Sequence, residues 1–204
     1  MQIKKEDIRK TILKVARESF LEKGYRKTSM RTIAKEAHVT LSNIYNYFKN
    51  KDEILEVIIQ PALQEMEQLF NRHNESHSIT SSWFKAEDVS EIEEFNDHVK
   101  FIITYQKELN LLLYKCSGSK YENVKDFFID KYTESARKYL QLMKNKYPQV
   151  NKEISDFFLH TVAAWWIQIV SEIVSHNLNE EEILHFLKEY MTFGTGGWQR
   201  LMNL

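Results

Sequence analysis

Polar side chains suited to contacting DNA are concentrated between residues 38 and 51 of the 204-residue chain, a stretch without Asp or Glu. If this stretch forms a helix with about 100° between residues, Ile44 and Phe48 point to one side. Ser42 and Asn46 then point to nearly the opposite side. Asparagine can pair with adenine in the major groove, and a surface that approaches phosphates must carry little negative charge. The spacing therefore predicts a helix with one buried side and one side that contacts DNA.

Three short helices within the first 50 residues would position this face. The first begins near Glu6 and ends at Gly24, which we expect at the C′ position in a left-handed conformation. Thr28 or Ser29 would cap the second helix, and Thr40 would cap the third. Three helices with tight turns at this spacing are typical of a helix-turn-helix unit. The alternative is a generic helical hairpin with a polar outer face.

Charge is distributed unevenly along the chain. Residues 1–60 contain 13 Lys and Arg against 8 Asp and Glu, a net charge of +5, and the remaining 15 basic and 21 acidic residues give −6. A basic N-terminal segment on an acidic body indicates a part of the molecule that binds a polyanion. Chance clustering of charges on solvated helices remains the other interpretation.

The segment from Gly24 to Lys51 resembles the N-terminal signature of the TetR (tetracycline-repressor-like) family of bacterial transcription regulators. The resemblance covers about 50 residues and includes the spacing, the caps and a Tyr-x-Tyr-Phe-x-x-Lys run. It implies an all-helical dimer that binds a DNA operator through its N-terminal part and a small molecule within its C-terminal body. The matching residues are Gly24, Tyr25, 28–34, Ala37, Val39, Thr40, 44–48 and Lys51.

The resemblance also implies roles for single side chains. By similarity, the residues that contact phosphates would be Thr28, Thr40, Tyr47 and Lys51. Those at or near base edges would be Arg31, Ser42, Asn43, Tyr45 and Asn46. Position 42 is often glycine in this family, so the serine here limits close backbone approach but adds a hydroxyl. Leu41 could contact a thymine methyl group or pack on the turn, and Lys4 could follow the DNA backbone together with Lys5 and Arg9.

Composition predicts an all-α fold of about nine helices. The chain has only 5 Gly and 2 Pro, too few turn formers for a sandwich or a barrel. We expect a helix-turn-helix domain over residues 1–50 and a ligand-binding and dimerisation domain over residues 51–204. Pro61 would kink the fourth helix, and residues 73–82 would form a loop. Asn50 with Glu53, and Asn179 with Glu182, predict capping boxes for the fourth and last helices.

Further helices are predicted at about residues 89–105, 121–146 and 152–175, and the last one runs into Gly194, Gly196 and Gly197. Trp165 and Trp166 are adjacent and lie about 100° apart, so their helix must be buried on two sides. One side could be the monomer core and the other a subunit interface, and the alternative is a wide intramolecular core. The predicted dimer interface comprises Phe158, Val162, Trp166, Ile169, Ile173, Ile183, Leu187 and Tyr190.

The aromatic body suits a flat or apolar ligand. The predicted pocket residues are Phe84, Phe101, Ile102, Tyr105, Leu113, Tyr114, Phe128, Tyr132 and Trp165. Most of these side chains could equally belong to the core. Gly194, Gly196 and Gly197 would allow two backbones to approach closely, or would unwind the end of the helix.

Other classes of protein are disfavoured by the sequence. The single Cys116 excludes an internal disulfide, and no nucleophile, phosphate-loop or zinc-protease motif occurs. We therefore expect no catalytic residues, no cofactor and no metal site. The longest uncharged run, residues 157–171, is shorter than the roughly 18 residues of a membrane span, and no signal peptide is evident.

The sequence thus predicts a cytoplasmic, homodimeric, ligand-responsive regulator, a repressor released from a pseudo-palindromic operator by an apolar or aromatic effector. Two alternatives stay open at this point. One is a helical ligand-binding or adaptor dimer without specific DNA binding, and the other is a small helical enzyme with an aromatic pocket. Activation in place of repression would depend on the position of the operator.

Overall fold

The computed structural model describes residues 2–74, 92–147 and 153–202, and all regular elements in these ranges are helical. This confirms the predicted all-α fold. The described residues form nine α-helices and one π-helical turn. These are α1 (Gln2–Lys23), α2 (Met30–Glu36), α3 (Leu41–Tyr45), α4 (Lys51–Asn74), α5 (Glu93–Thr104), α6 (Gln106–Asn110), the π-helical turn (Leu111–Lys115), α7 (Val124–Lys146), α8 (Asp156–Ser175) and α9 (Glu180–Met202).

Contacts divide the chain into two compact units. The N-terminal unit consists of Met1–Gln64 together with Gln106–Val124, and the C-terminal unit consists of Glu65–Tyr105 together with Lys125–Leu204. The chain passes from one unit to the other within α4. The division into a DNA-binding domain and a ligand-binding domain at residue 50 stays a prediction. By contacts, α6 and the π-helical turn also belong to the N-terminal unit.

Local signals determine the ends of the first three helices. Gly24 has φ +79° and donates its N–H to the carbonyl of Phe20 at 2.9 Å, as expected for a C′ glycine. Ser29, and not Thr28, is the N-cap of α2, and its hydroxyl accepts the N–H of Thr32. Thr40 caps α3 by accepting the N–H of Asn43 at 3.1 Å, as predicted.

Both predicted capping boxes are present. The side-chain oxygen of Asn50 accepts the N–H of Glu53 at 2.9 Å, and that of Asn179 accepts the N–H of Glu182 at 3.0 Å. In return, the carboxylate of Glu53 accepts the backbone N–H of Lys49, and that of Glu182 accepts the backbone N–H of Asn179. Ser155 caps α8 in the same way, by accepting the N–H of Phe158.

Several predicted boundaries are wrong. α1 begins at Gln2 rather than near Glu6, and α4 extends through His73 and Asn74, which were assigned to a loop. Residues 75–82 of that predicted loop lie outside the described residues. α9 continues through its three glycines to Met202, so the glycines do not unwind the helix. Favourable packing of the apolar face of α9 outweighs the weak helix propensity of glycine.

α8 is long and apolar enough, by length and composition, to cross a membrane. One face of it is buried within the C-terminal unit at helical spacing, through Leu159, Ala163, Ile167, Val170 and Val174. A core helix of a globular protein has this pattern because its apolar stripe packs against neighbouring helices. We therefore assign α8 to the core.

Candidate nucleic-acid interface and ligand cavity

α3 presents the polar face that the sequence predicts. Ile44 and Phe48 are buried, which fixes the rotation of the helix about its axis. Ser42 and Asn46 are exposed on the other side, and Tyr45 is 52% exposed. Exposed tyrosine and asparagine next to buried anchors form a surface on which side chains can reach a partner without disturbing the core.

The residues around α3 differ in accessibility. Arg31 on α2 and Thr40 are exposed, whereas Leu41, Asn43 and Tyr47 are half-buried. Asp7 of α1 lines a shallow groove together with Thr40 and Asn43, so one carboxylate borders the face. The side chain of Lys4 lies outside the described residues.

Thr28 contributes to the fold of the turn and not to the surface. Its side chain is buried, and its hydroxyl donates to the carbonyl oxygen of Gly24 at 2.9 Å. The carbonyl oxygen of Ser19 lies 3.2 Å from the same hydroxyl. Its N–H donates to the carbonyl of Tyr25. The phosphate contact by Thr28 stays a prediction, and in this conformation the side chain is enclosed and its one proton is engaged.

Lys51 also holds the turn between α1 and α2. Its Nζ donates hydrogen bonds of 2.7 Å to the carbonyl oxygens of Tyr25 and Thr28, and it lies 3.8 Å from the centroid of the Tyr25 ring. Burial lowers the pKa of Lys51, and neighbouring Asp52 opposes this shift. An ammonium group has three protons, so one remains for a phosphate oxygen.

Acidic side chains near the face are engaged in the fold. Glu36 accepts hydrogen bonds from Ser19 and Lys23, and these two partners hold its pKa below the usual value. Asp52 accepts the hydroxyl proton of Tyr25 at 2.9 Å. Burial, together with this contact, raises the pKa of Tyr25. The two carboxylates are thus already compensated by donors of the same unit.

The second segment of the N-terminal unit packs against α1, α4 and the first turn. Arg17 of α1 forms an ion pair with the buried Glu108 of α6. The carbonyl of Lys115 in the π-helical turn accepts the N–H of Tyr25 at 2.8 Å. Lys120 forms a 2.6 Å ion pair with Glu56 of α4.

A cavity of about 220 Å³ lies within the C-terminal unit. Its walls come from five helices, α4, α5, α7, α8 and α9, and most of them are aliphatic or aromatic side chains. The aromatic rings among these walls are Phe70, Phe95, Tyr132, Trp166, Tyr190 and Trp198. The polar groups are few, and they include His98 and Ser135.

Three ring side chains that line the cavity pack around Trp166. The ring of Tyr190 stacks on Trp166 with centroids 5.6 Å apart, and Tyr132 meets it edge-on at 6.5 Å. His98 also meets Trp166 edge-on, at 6.1 Å. Burial raises the pKa of both Tyr132 and Tyr190 to about 12, so both hydroxyls stay protonated at neutral pH.

A second cavity of about 230 Å³ adjoins the first. It extends along α7 and α9 to Tyr139, Gly194 and Met202. Both cavities are lined by Ala136, Leu159, Tyr190, Met191 and Trp198.

Of the predicted pocket residues that the structure describes, only Tyr132 lines the first cavity. Phe101, Ile102 and Phe128 are buried, and Tyr105 packs on Phe101. Leu113 and Tyr114 belong to the N-terminal unit, and Phe84 lies outside the described residues. Trp165 is exposed, and its neighbour Trp166 lines the cavity in its place. The sequence signals that a helix has several apolar faces, but not which of them surrounds a void.

The predicted interface residues lie mostly inside the chain. Three of them, Ile169, Ile173 and Ile183, are buried. Four others line the first cavity, namely Val162, Trp166, Leu187 and Tyr190. Only Phe158 is exposed, at 40%. The large apolar side chains that α8 and α9 leave exposed also include Phe157, Trp165 and Phe193.

No group of three His, Cys, Asp or Glu that could hold a metal ion occurs among the residues searched in the described ranges. Cys116 is a buried thiol, and burial raises its pKa to about 11. It is therefore protonated and unreactive at neutral pH.

These features combine a helix-turn-helix arrangement in the N-terminal unit with a mainly apolar cavity in the C-terminal unit. Residues 12–58 match the model of the family described as bacterial regulatory proteins, tetR family. The match covers about a quarter of the chain, and it coincides with α2, α3 and the segments on either side of them.

Individual proteins are similar to part of the chain. The HTH-type transcriptional regulator YhgD of Bacillus subtilis (strain 168) is 44% identical over 62 residues, 30% of this chain and 32% of that protein. HbdR of Aromatoleum sp. (strain CIB) is 39% identical over 70 residues, 34% of this chain and 31% of its own length. The chain therefore matches about a third of the length of these relatives.

Solved structures share the fold over nearly the whole chain. A TetR-like transcriptional regulator from Rhodococcus sp. RHA1 is 14% identical, with a TM-score of 0.61, over 93% of this chain and 96% of that chain. NalD, described as the secondary repressor of the MexAB-OprM multidrug efflux pump in Pseudomonas aeruginosa, is 20% identical with a TM-score of 0.57, over 93% and 95%. At these identities, the likeness concerns the fold.

Proposed function

We propose that the chain is a sequence-specific DNA-binding transcriptional regulator that acts as a homodimer in the cytoplasm. In its default action it represses transcription, and it releases a pseudo-palindromic operator when a small molecule occupies the cavity. The observation that carries the proposal is the polar face of α3, on which Ser42 and Asn46 are exposed opposite Ile44 and Phe48. The match of residues 12–58 to the model of the bacterial regulatory proteins, tetR family, supports it.

The recognition step would place α3 in the major groove. Tyr45 and Asn46 would contact base edges, and a phosphate could use the third proton of Lys51 and the exposed guanidinium of Arg31. In a two-fold symmetric dimer, the two copies of α3 would enter successive major grooves about 34 Å apart. A pseudo-palindromic site follows from that symmetry.

The dimer would form through the exposed aromatic face of α8 and α9. Phe157 is 79% exposed and Phe193 is 70% exposed, and Trp165 meets Phe193 edge-on at 6.1 Å. Exposed aromatic clusters of this kind are enriched at subunit interfaces. This face replaces the one predicted from the sequence.

The response to a ligand would run through α4. Leu69 and Phe70 near its C-terminal end line the cavity, and Lys51 at its N-terminal end holds the turn before α2. A ligand changes the affinity for DNA only if it binds one of two states more tightly than the other. Equal affinity for the operator with and without every bound compound would contradict this coupling.

The test is selection from a random DNA duplex library, followed by binding of the enriched duplex across a salt series. We expect an enriched palindrome and a logarithmic salt slope near −0.9 for each phosphate contact. Asn46→Ala and Tyr45→Ala should each weaken binding by roughly 10- to 100-fold. Asn123→Ala, on an exposed asparagine of the same unit away from α3, is the matched control and should leave binding unchanged.

Other outcomes would replace the proposal. Salt-sensitive binding without enrichment would indicate a DNA-binding protein of low specificity. A folded dimer that binds no duplex would favour a ligand-binding or adaptor protein.

A further inference from the structure

We infer that the cavity of the C-terminal unit holds an uncharged, elongated and mainly apolar molecule with one hydrogen-bond acceptor group near Trp166. This rests on the proposed function, in which the cavity is the effector site, and it adds the chemical class of the effector. The inference depends on the polar groups of the cavity, on their positions and on the adjoining second cavity.

The charge of the ligand follows from the walls. Among the described residues that line the two cavities, none is Lys, Arg, Asp or Glu. An ionic group buried without a partner of opposite charge carries a large desolvation penalty. A neutral ligand avoids this penalty.

The acceptor group follows from the two tyrosines. The hydroxyl of Tyr132 interacts with the indole N–H of Trp166, which can only donate, so the tyrosine keeps its own proton for another partner. Burial raises the pKa of Tyr190, so its hydroxyl also keeps its proton. Ring contacts hold both tyrosines against Trp166. Both tyrosines line the cavity beside Trp166, so a carbonyl or ether oxygen of a ligand at this place would accept a hydrogen bond from either hydroxyl.

The length of the ligand follows from the second cavity. The two cavities adjoin along Tyr190 and Trp198, and together they reach the roughly 300–1,000 Å³ typical of ligand sites. Gly194 lines the second cavity, and a Cβ atom there would meet no other atom within 4 Å. An apolar chain that starts beside Trp166 can therefore continue past Trp198 into this space.

The first test compares three ligands of similar length in calorimetric titrations of the full chain. The probes are methyl octyl ketone, decanoate and decyltrimethylammonium. We expect the ketone to bind at least roughly tenfold more tightly than either ion. If either ion binds as tightly as the ketone, the inference is overturned. His98 would then be the partner to examine for the anion, and the aromatic walls would be the partners to examine for the cation.

The second test removes the hydroxyls and keeps the rings. Tyr132→Phe and Tyr190→Phe should each weaken binding of the ketone by roughly three- to tenfold and leave binding of decane unchanged. A purely structural role would alter the affinity for both compounds equally, and that result would overturn the acceptor assignment. Tyr121→Phe, in the N-terminal unit, is the control.

The third test fills the second cavity. Gly194→Leu should abolish the gain in affinity from methyl butyl ketone to methyl octyl ketone and leave the shorter ketone unaffected, and Gly194→Ala should have a smaller effect. If the affinity of Gly194→Leu still rises from the shorter to the longer ketone as in the unchanged protein, the inference of an elongated ligand is overturned.

Ligand binding in these tests is measured without DNA. If a preparation binds its selected duplex but does not bind the ketone, this inference is overturned and the proposed function is not. Failure of DNA binding would overturn the proposed function, and the three ligands would still decide the chemistry of the cavity.

Discussion

At the scale of single residues, two glycines differ in whether their backbone conformation tolerates a side chain. Gly24 ends α1 with φ +79°, a conformation that residues with a Cβ atom adopt at a cost of about 1–2 kcal/mol. Gly197 lies within α9 with open space around it.

We therefore predict opposite effects of the same substitution. Gly24→Ala should lower the free energy of unfolding by about 1–2 kcal/mol, and Gly197→Ala should raise it by about 1 kcal/mol. Urea denaturation of both variants beside the unchanged protein measures the difference. Equal effects of the two substitutions would contradict the argument.

Lys51 is a second case at this scale, because it combines a structural role with a proposed contact to DNA. Lys51→Met should lower the free energy of unfolding by about 1–3 kcal/mol, since two carbonyl groups lose a charged donor. It should also weaken operator binding. The exposed Lys49 provides the control, because Lys49→Met should leave the thermal midpoint unchanged. Loss of DNA binding without loss of stability would restrict Lys51 to a phosphate contact.

At the scale of elements, the sequence predicts what depends on neighbours along the chain. Gly24, the Thr40 cap and the Asn50–Glu53 box are local signals, and all three are present. The walls of the cavity could not be predicted in the same way. Trp165 and Trp166 lie on two apolar faces of α8, and only the packing of α9 and α7 decides which of them meets a void.

Helix α1 and helix α6 are joined by the ion pair between Arg17 and Glu108. Glu108 is 8% exposed, so removal of Arg17 alone would leave a buried carboxylate unpaired. We predict that Arg17→Met and Glu108→Met each destabilise the fold, and that the double variant loses less than the sum.

A double-mutant cycle from urea denaturation measures this coupling, which we expect at about 1–3 kcal/mol. The exposed pair of Arg137 and Glu134 on α7 is the control and should give less than about 1 kcal/mol. Additive losses at Arg17 and Glu108 would mean that the contact contributes no free energy.

At the scale of the whole molecule, the proposed binding to a two-fold symmetric operator would depend on assembly into a dimer. Phe193→Arg should convert the protein to a monomer and weaken operator binding by more than roughly tenfold, because one recognition helix then binds without its symmetric partner. Sedimentation velocity and duplex titration measure the two effects.

The control is Phe127→Arg, which replaces another exposed phenylalanine, one that lies on α7. It should remain dimeric. A dimer that persists in Phe193→Arg would assign the interface to another surface.

The N-terminal unit has a consequence for the exchange of parts between regulators. It consists of two pieces of chain, residues 1–64 and 106–124, joined by contacts such as Arg17 with Glu108 and Tyr25 with Lys115. A chimera that takes only the first piece from a relative inherits half of each contact. Recombination designed to transfer the proposed DNA specificity must therefore carry both pieces, or it must preserve the side chains at their shared boundary.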